Sequence, residues 1–207
     1  MSINIRKATN DDAPFLAQMI LQSTRADKKI GIYDLIFKTT KDEEVLNYLE
    51  KLVNTTAKSG CHFTNFLIAE IDGKSVGSLC TYEPRIATRE VFLEALSEIG
   101  IDGEDSEYLG LMDICGFALN TRTLIFDYME ELEGFMDVGI LKALMHKSLL
   151  AARLKGYRIA QTIVEIGSLE TLLYYKKLGF KEVKERKCEL YKEIFGRPGL
   201  ILLSIEF

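Results

Sequence analysis

The stretch TLIFDYMEELEGFMDVGILKALMHKSLLAARLKGYRIAQTIVEIGSLETLLYYKKLGFKEVKE, residues 123–185, decides the fold. Residues 123–130 (TLIFDYME) read as a strand. Residues 140–154 place Leu141, Leu144, Met145 and Leu149 on one side of a helix. Residues 158–166 (RIAQTIVEI) read as a second strand and 168–178 as a second helix, with Gly179 as its C-cap. Residues 180–185 (FKEVKE) are a third strand. Strands alternating with helices predict a mixed sheet with helices on both faces.

Working outward, FLIAEI (66–71) and SVGSLCTY (75–82) form a hairpin through Asp72-Gly73-Lys74, because Asp-Gly suits a tight turn with positive φ. Residues 3–7 (INIRK) alternate apolar and polar as a first strand does. Thr9 and Asn10 offer N-cap side chains, and Leu16, Met19 and Ile20 follow at helical spacing. A second helix fits 41–53, with Val45, Leu46, Leu49 and Leu52 as its stripe. Beyond Pro84 come a helix at 88–99, an acidic loop at 101–110 and a short apolar helix at 110–119. The chain ends with a short helix at 189–195 and an apolar strand at 200–205. That strand either closes the protomer's own sheet or serves a homodimer. The expectation is one α/β (α+β) domain over residues 1–207, with 83–122 as an insertion.

Composition narrows the function classes. With 207 residues, 47% hydrophobic and 28% charged, disorder and fibrous repeats are excluded. The apolar runs are too short to span a bilayer, and the charged amino terminus lacks a signal peptide's apolar core, which predicts a cytoplasmic protein. Cys61, Cys80, Cys115 and Cys188 show no CxxC spacing, and only His62 and His146 accompany them. Unpaired thiols and no metal site are therefore expected. A net charge of −5 argues against nucleic acid as a partner. The average hides a division. Residues 88–137 hold two cations against thirteen anions, and residues 142–187 hold eleven cations against four anions. Two readings stand: solvated helix faces, or one side for an anionic ligand and one for a cationic ligand.

A helix starting directly after a strand presents free N–H groups and a positive dipole end to an anion. Gly139 sits at that bend, where a missing Cβ lets a phosphate come close. Further on, Tyr175-Lys176-Lys177-Leu178-Gly179-Phe180 reads YxKxGF after a strand–helix pair. This resembles the closing signature of the GCN5-related N-acetyltransferases (GNAT), LYxKxGF. AARLKGY (151–157) is similar to that family's ArxxGy, and KERKCELYKEIFGRPGL (184–200) to the tail of a bacterial subgroup. The resemblance covers roughly residues 3–206.

The resemblance implies a GNAT-like mixed sheet whose fourth strand, 124–131, splays from the fifth to admit acetyl-CoA as acyl donor. It implies an N-acyltransferase acting on a primary amine of a small molecule or peptide. Backbone N–H groups of Met129, Glu130 and Glu131 would hold the thioester oxygen, and Glu130 or Glu131 would take the amine's proton. Tyr175 would protonate the departing thiolate, with Tyr174 as the packing member of the pair. Asp137, Val138, Gly139, Ile140, Leu141 and Lys142 fall on the pyrophosphate loop, with Ser168, Thr171 and Lys177 as further contacts and Lys176 beside them. The family's loop reads Q/RxxGxG/A. Met136 to Leu141 keeps only its middle glycine, which motivates an alternative reading as a noncatalytic GNAT-fold binding or regulatory domain. No GxGxxG follows an early strand, which disfavours a dinucleotide-dependent oxidoreductase.

Overall fold

The computed structural model describes residues 2–103, 107–136 and 138–207, the side chain of Glu107 excepted. Strands β1 (Asn4–Lys7), β2 (Phe66–Ile71), β3 (Lys74–Tyr82), β4 (Leu124–Glu131), β5 (Ile159–Glu165), β6 (Lys181–Lys187) and β7 (Gly199–Glu206) form one seven-stranded sheet. Its order is β1-β2-β3-β4-β5-β7-β6. All neighbours are antiparallel except β4 and β5.

Helices cover both faces, as the sequence periodicity requires. On one face α1 (Ala13–Arg25) and α3 (Asp42–Leu52) pack Leu16, Ile20, Val45 and Leu49 against Phe66, Ile68 and Cys80. On the other, α6 (Ile140–Leu154) and α7 (Leu169–Lys177) pack Ile140, Leu144, Met145 and Tyr175 against Phe126, Val164 and Leu203. The hairpin turn takes positive φ at both Asp72 (50°) and Gly73 (77°), the type I′ geometry that matches the twist of the flanking strands.

Three features depart from expectation. A six-residue helix, α2 (Ile32–Phe37), lies where no helix was expected, because so short a segment shows no period. The Asp34 carboxylate accepts the Gly31 N–H (2.6 Å) and pairs with Arg25 (2.7 Å), which fixes this helix to the end of α1. Helix α4 (Arg89–Glu98) is where expected, but α5 spans Glu107–Cys115 rather than 110–119, and the acidic loop expected at 101–110 lies partly outside the described residues. The thiol expectation is corrected outright for two cysteines. Cys115 and Cys188 form a disulfide with Cα atoms 5.6 Å apart and 73 residues between them in sequence. Cys61 and Cys80 are free and buried. The bond ties the end of α5 to the residue before α8 (Glu189–Phe195), where Leu111, Tyr191, Phe195 and Leu200 form a third apolar cluster.

The final strand closes the chain's own sheet. β7 runs between β5 and β6, and its apolar residues 200–203 are buried. The edge is left to β6, KEVKERK, whose exposed charges suit a strand with one unpaired side.

Candidate active site

The sheet opens where β4 leaves β5. Parallel pairing is limited to Leu124 with Ala160 and Ile125 with Gln161. Beyond Ile125 the two strands diverge, so the later β4 edge has no strand beside it. A bulge adds to the divergence. Against β3, Cys80 faces Asp127 and Ser78 faces Glu130, so β4 carries one extra residue, and Tyr128 there takes a φ of +45°. Leu132 N–H still bonds to Val76 O (2.8 Å). By the alternation of an antiparallel ladder, Glu130 is then turned toward β3, while Met129 and Glu131 direct their backbone groups into the opening. The Gln22 amide donates to the Glu131 carbonyl (3.1 Å), as that direction requires.

The bulge also puts Asp127, Tyr128 and Glu130 on one side of the sheet. Cys80, the cross-strand partner of Asp127, and the Tyr128 ring both belong to the α1–α3 core, and Glu130 accepts a bond from Gln22 of α1 (2.9 Å). Met129 packs on the opposite, α6 side.

A cavity of about 1250 Å³ fills the opening. Toward α6 and α7 it is lined by Met129, Glu131, Gly139, Ile140, Leu141, Lys142, Ser168, Thr171, Tyr175 and Lys177. Gly139 takes a φ of +89° with open space where a Cβ would stand, so its role is conformational and the approach to the first turn of α6 is clear. The seat of α6 depends on another glycine. A Cβ on Gly77 would lie 2.7 Å from Ile140 Cγ2 and 3.0 Å from the Glu130 carbonyl. The same cavity also meets α1, α2, α4 and α5, where Tyr33, Tyr82, Phe92, Tyr108, Asp127 and Glu130 line it.

Burial sets the electrostatics. It raises the Glu130 carboxyl to about 7, while bonds from Gln22 and Ser23 oppose the rise and the charges of Glu131 and Asp27 add to it. It raises Asp127 to about 6, offset only by the N–H of Tyr128, which donates to Asp127 Oδ1 at 2.9 Å. Burial likewise raises the Tyr175 hydroxyl, with Thr162 opposing, so it holds its proton at neutral pH.

Most sequence-identified residues meet here, and some do not. Tyr175, Glu130 and Glu131 all line the cavity. Val138 is 41% exposed and lies outside the lining. Asp137 lies outside the described residues. Lys176 pairs with Glu182 at 2.6 Å, away from the lining. The tyrosine pair is reversed in packing. Tyr175 is buried with its ring edge-on to Phe180 (centroids 5.1 Å apart), whereas Tyr174 is only half-buried. Sequence reading missed Asp127, although a single charge inside the apolar run LIFDYM was the available signal. It missed the aromatic wall too, because Tyr33, Tyr82, Tyr108 and Tyr128 come from four distant segments.

No protein-family model and no curated protein matches the chain. Solved structures do match. An N-acetyltransferase from Staphylococcus aureus Mu50 superposes with a TM-score of 0.70 at 16% identity, over 98% of this chain and 100% of that one. Another acetyltransferase gives 0.69 at 19% identity, over 98% of each chain. PaiA N-acetyltransferase from Thermoplasma acidophilum, solved in complex with coenzyme A, gives 0.56 at 15% identity over 100% of both. The fold is that of the GCN5-related N-acetyltransferases. Among the described residues no helix is long and apolar enough to cross a membrane, and no group of three metal-ligating side chains occurs.

Proposed function

We propose that the protein is an N-acyltransferase that moves an acyl group, acetyl in the first instance, from a coenzyme A thioester to a primary amine. The observation carrying this reading is the opening of β4 from β5 after Ile125, with the first turn of α6 at one end and two carboxylates at the other. The residues present fit a coenzyme A ester. Open space at Gly139 admits a phosphate to the N–H groups of α6, and Lys142, Lys177, Ser168 and Thr171 border the same part of the cavity. Acetyl-CoA, when bound, supplies the acyl group as a thioester and departs as a thiol. Glu130 takes the proton that an ammonium must lose before its nitrogen can attack, and a value near 7 suits that exchange at neutral pH. Backbone N–H groups at the free edge of β4 face the position of the developing oxyanion. The Tyr175 hydroxyl supplies a proton on the leaving-group side. The described residues of 83–122 act as an insertion that walls the acceptor end.

Calorimetric titration with acetyl-CoA tests the donor site. Wild type binds, and Gly139→Val, which strains a positive φ and fills the open space, loses at least a hundredfold in affinity with unchanged circular dichroism. Equal affinity would remove the anion site. Binding without release of CoA to any amine would favour the noncatalytic domain that the loop sequence Met136 to Leu141 also motivates.

A further inference from the structure

Resting on that reading, the acceptor end of the cavity narrows the substrate class. Six aromatic side chains, Tyr33, Tyr82, Phe92, Tyr108, Phe117 and Tyr128, line it. They are held from beneath. Tyr33 and Tyr128 hydroxyls are 2.9 Å apart, the Tyr128 ring lies parallel to Phe66, and Tyr82 packs over Gly60, where a Cβ would stand 3.4 Å from its ring. Asp127 sits among these rings: burial raises the hydroxyls of Tyr82, Tyr108 and Tyr128, and the charge of Asp127 adds to the rise in each.

The cations of this end are already engaged. Lys28 pairs with Glu165, which also accepts the Tyr191 hydroxyl at 2.7 Å, and Arg89 pairs with Asp113 at 2.7 Å. No salt bridge joins Asp127 to a cation among the described residues. A carboxylate entering here would meet Asp127 and Glu130, with Lys28 and Arg89, the cations at this end of the cavity, already paired. An ammonium would meet two carboxylates and the faces of aromatic rings, both of which attract a cation.

We infer that the acceptor is a primary amine on an aromatic or other flat apolar body, carrying no carboxylate, with its ammonium held between Asp127 and Glu130 over Tyr128. Asp127 is the residue that selects for this charge. An arylalkylamine therefore binds well and the corresponding α-amino acid does not.

The test uses the full chain and two readouts. Calorimetry measures 2-phenylethylamine and L-phenylalanine without any acyl donor, and CoA release measures both with acetyl-CoA. The expected result is at least tenfold tighter binding of 2-phenylethylamine, with Asp127→Asn abolishing that preference. In turnover, Asp127→Asn raises the amine KM at least tenfold while kcat changes less than threefold. Tyr108→Leu, at a different wall, weakens 2-phenylethylamine without restoring L-phenylalanine. Equal binding of the two ligands, or an unchanged preference in Asp127→Asn with native circular dichroism, would overturn the inference. Failure to release CoA counts against acyl transfer alone, because the calorimetric preference is read without the donor.

Discussion

The two ends of the cavity are built by different means. The donor end is local in sequence: β4, the bend at Gly139, α6, β5 and α7 follow one another within residues 124–177. Its polar groups are backbone N–H groups and lysines at a rim. The acceptor end is assembled from afar. Gln22 bonds Glu130 across 108 positions, Tyr33 meets Tyr128 across 95, and Lys28 reaches Glu165 across 137. Its polar groups are carboxylates whose proton affinity is raised by burial. An anion site thus needs a helix start and a glycine, whereas a site for a cation on an apolar body needs walls that only tertiary packing supplies.

The sharpest way to break this division is Glu130→Gln, which keeps the shape of the acceptor end and removes its proton acceptor. Turnover should fall by roughly a hundredfold to ten-thousandfold with acetyl-CoA affinity unchanged. In wild type the rate should rise with pH through about 7 as Glu130 loses its proton, and that step should vanish in the variant. Stability should run the opposite way. Glu130 is raised above its ordinary 4.5, so the native state keeps a proton that the unfolded chain releases, and stability falls as pH rises from about 4.5 to about 7. Urea unfolding of both proteins at pH 5 and pH 8 checks the sign. A pH-independent difference between them would break the assignment.

The second test separates the ends by stability. Cys115→Ser opens a link across 73 residues and should cost roughly 2–4 kcal/mol. Because α5 lines only the acceptor end, amine KM should rise while acetyl-CoA affinity holds. Parallel loss of both would show that the ends are one cooperative unit. Third, Tyr175→Phe should lower turnover about tenfold to a hundredfold, with Tyr174→Phe near wild type. The reverse ranking in steady-state kinetics would exchange their roles. The smallest effect concerns the donor rim. Met136 is 64% exposed beside the cavity, and Met136→Arg should tighten acetyl-CoA binding by about 1 kcal/mol, an effect that salt weakens.

Much of the architecture was legible because it rests on local periodicity. Helices 140–154 and 168–178 and the Asp72-Gly73 hairpin follow from spacing and turn chemistry, and the structure has them within a residue or two. Helix α2 was not legible, since six residues carry less than two turns of pattern and its stability comes from Arg25 and Asp34. The tyrosine pair was legible as a pair but not in its packing. Which ring enters the core depends on where Phe180 and Thr162 lie, and these come from outside the helix.

What the sequence determined by itself is the order of the strands and of the helices other than α2, the glycine at the bend and the motif that closes α7, all of which need only neighbours in the chain. What the tertiary structure decided is the place of β7 inside the sheet, the pairing of Cys115 with Cys188 and the aromatic chamber around Asp127. The physical reason is the same in each case. Strand order, disulfide partnership and a raised carboxyl pKa depend on which distant groups exclude water together, and no local period records that.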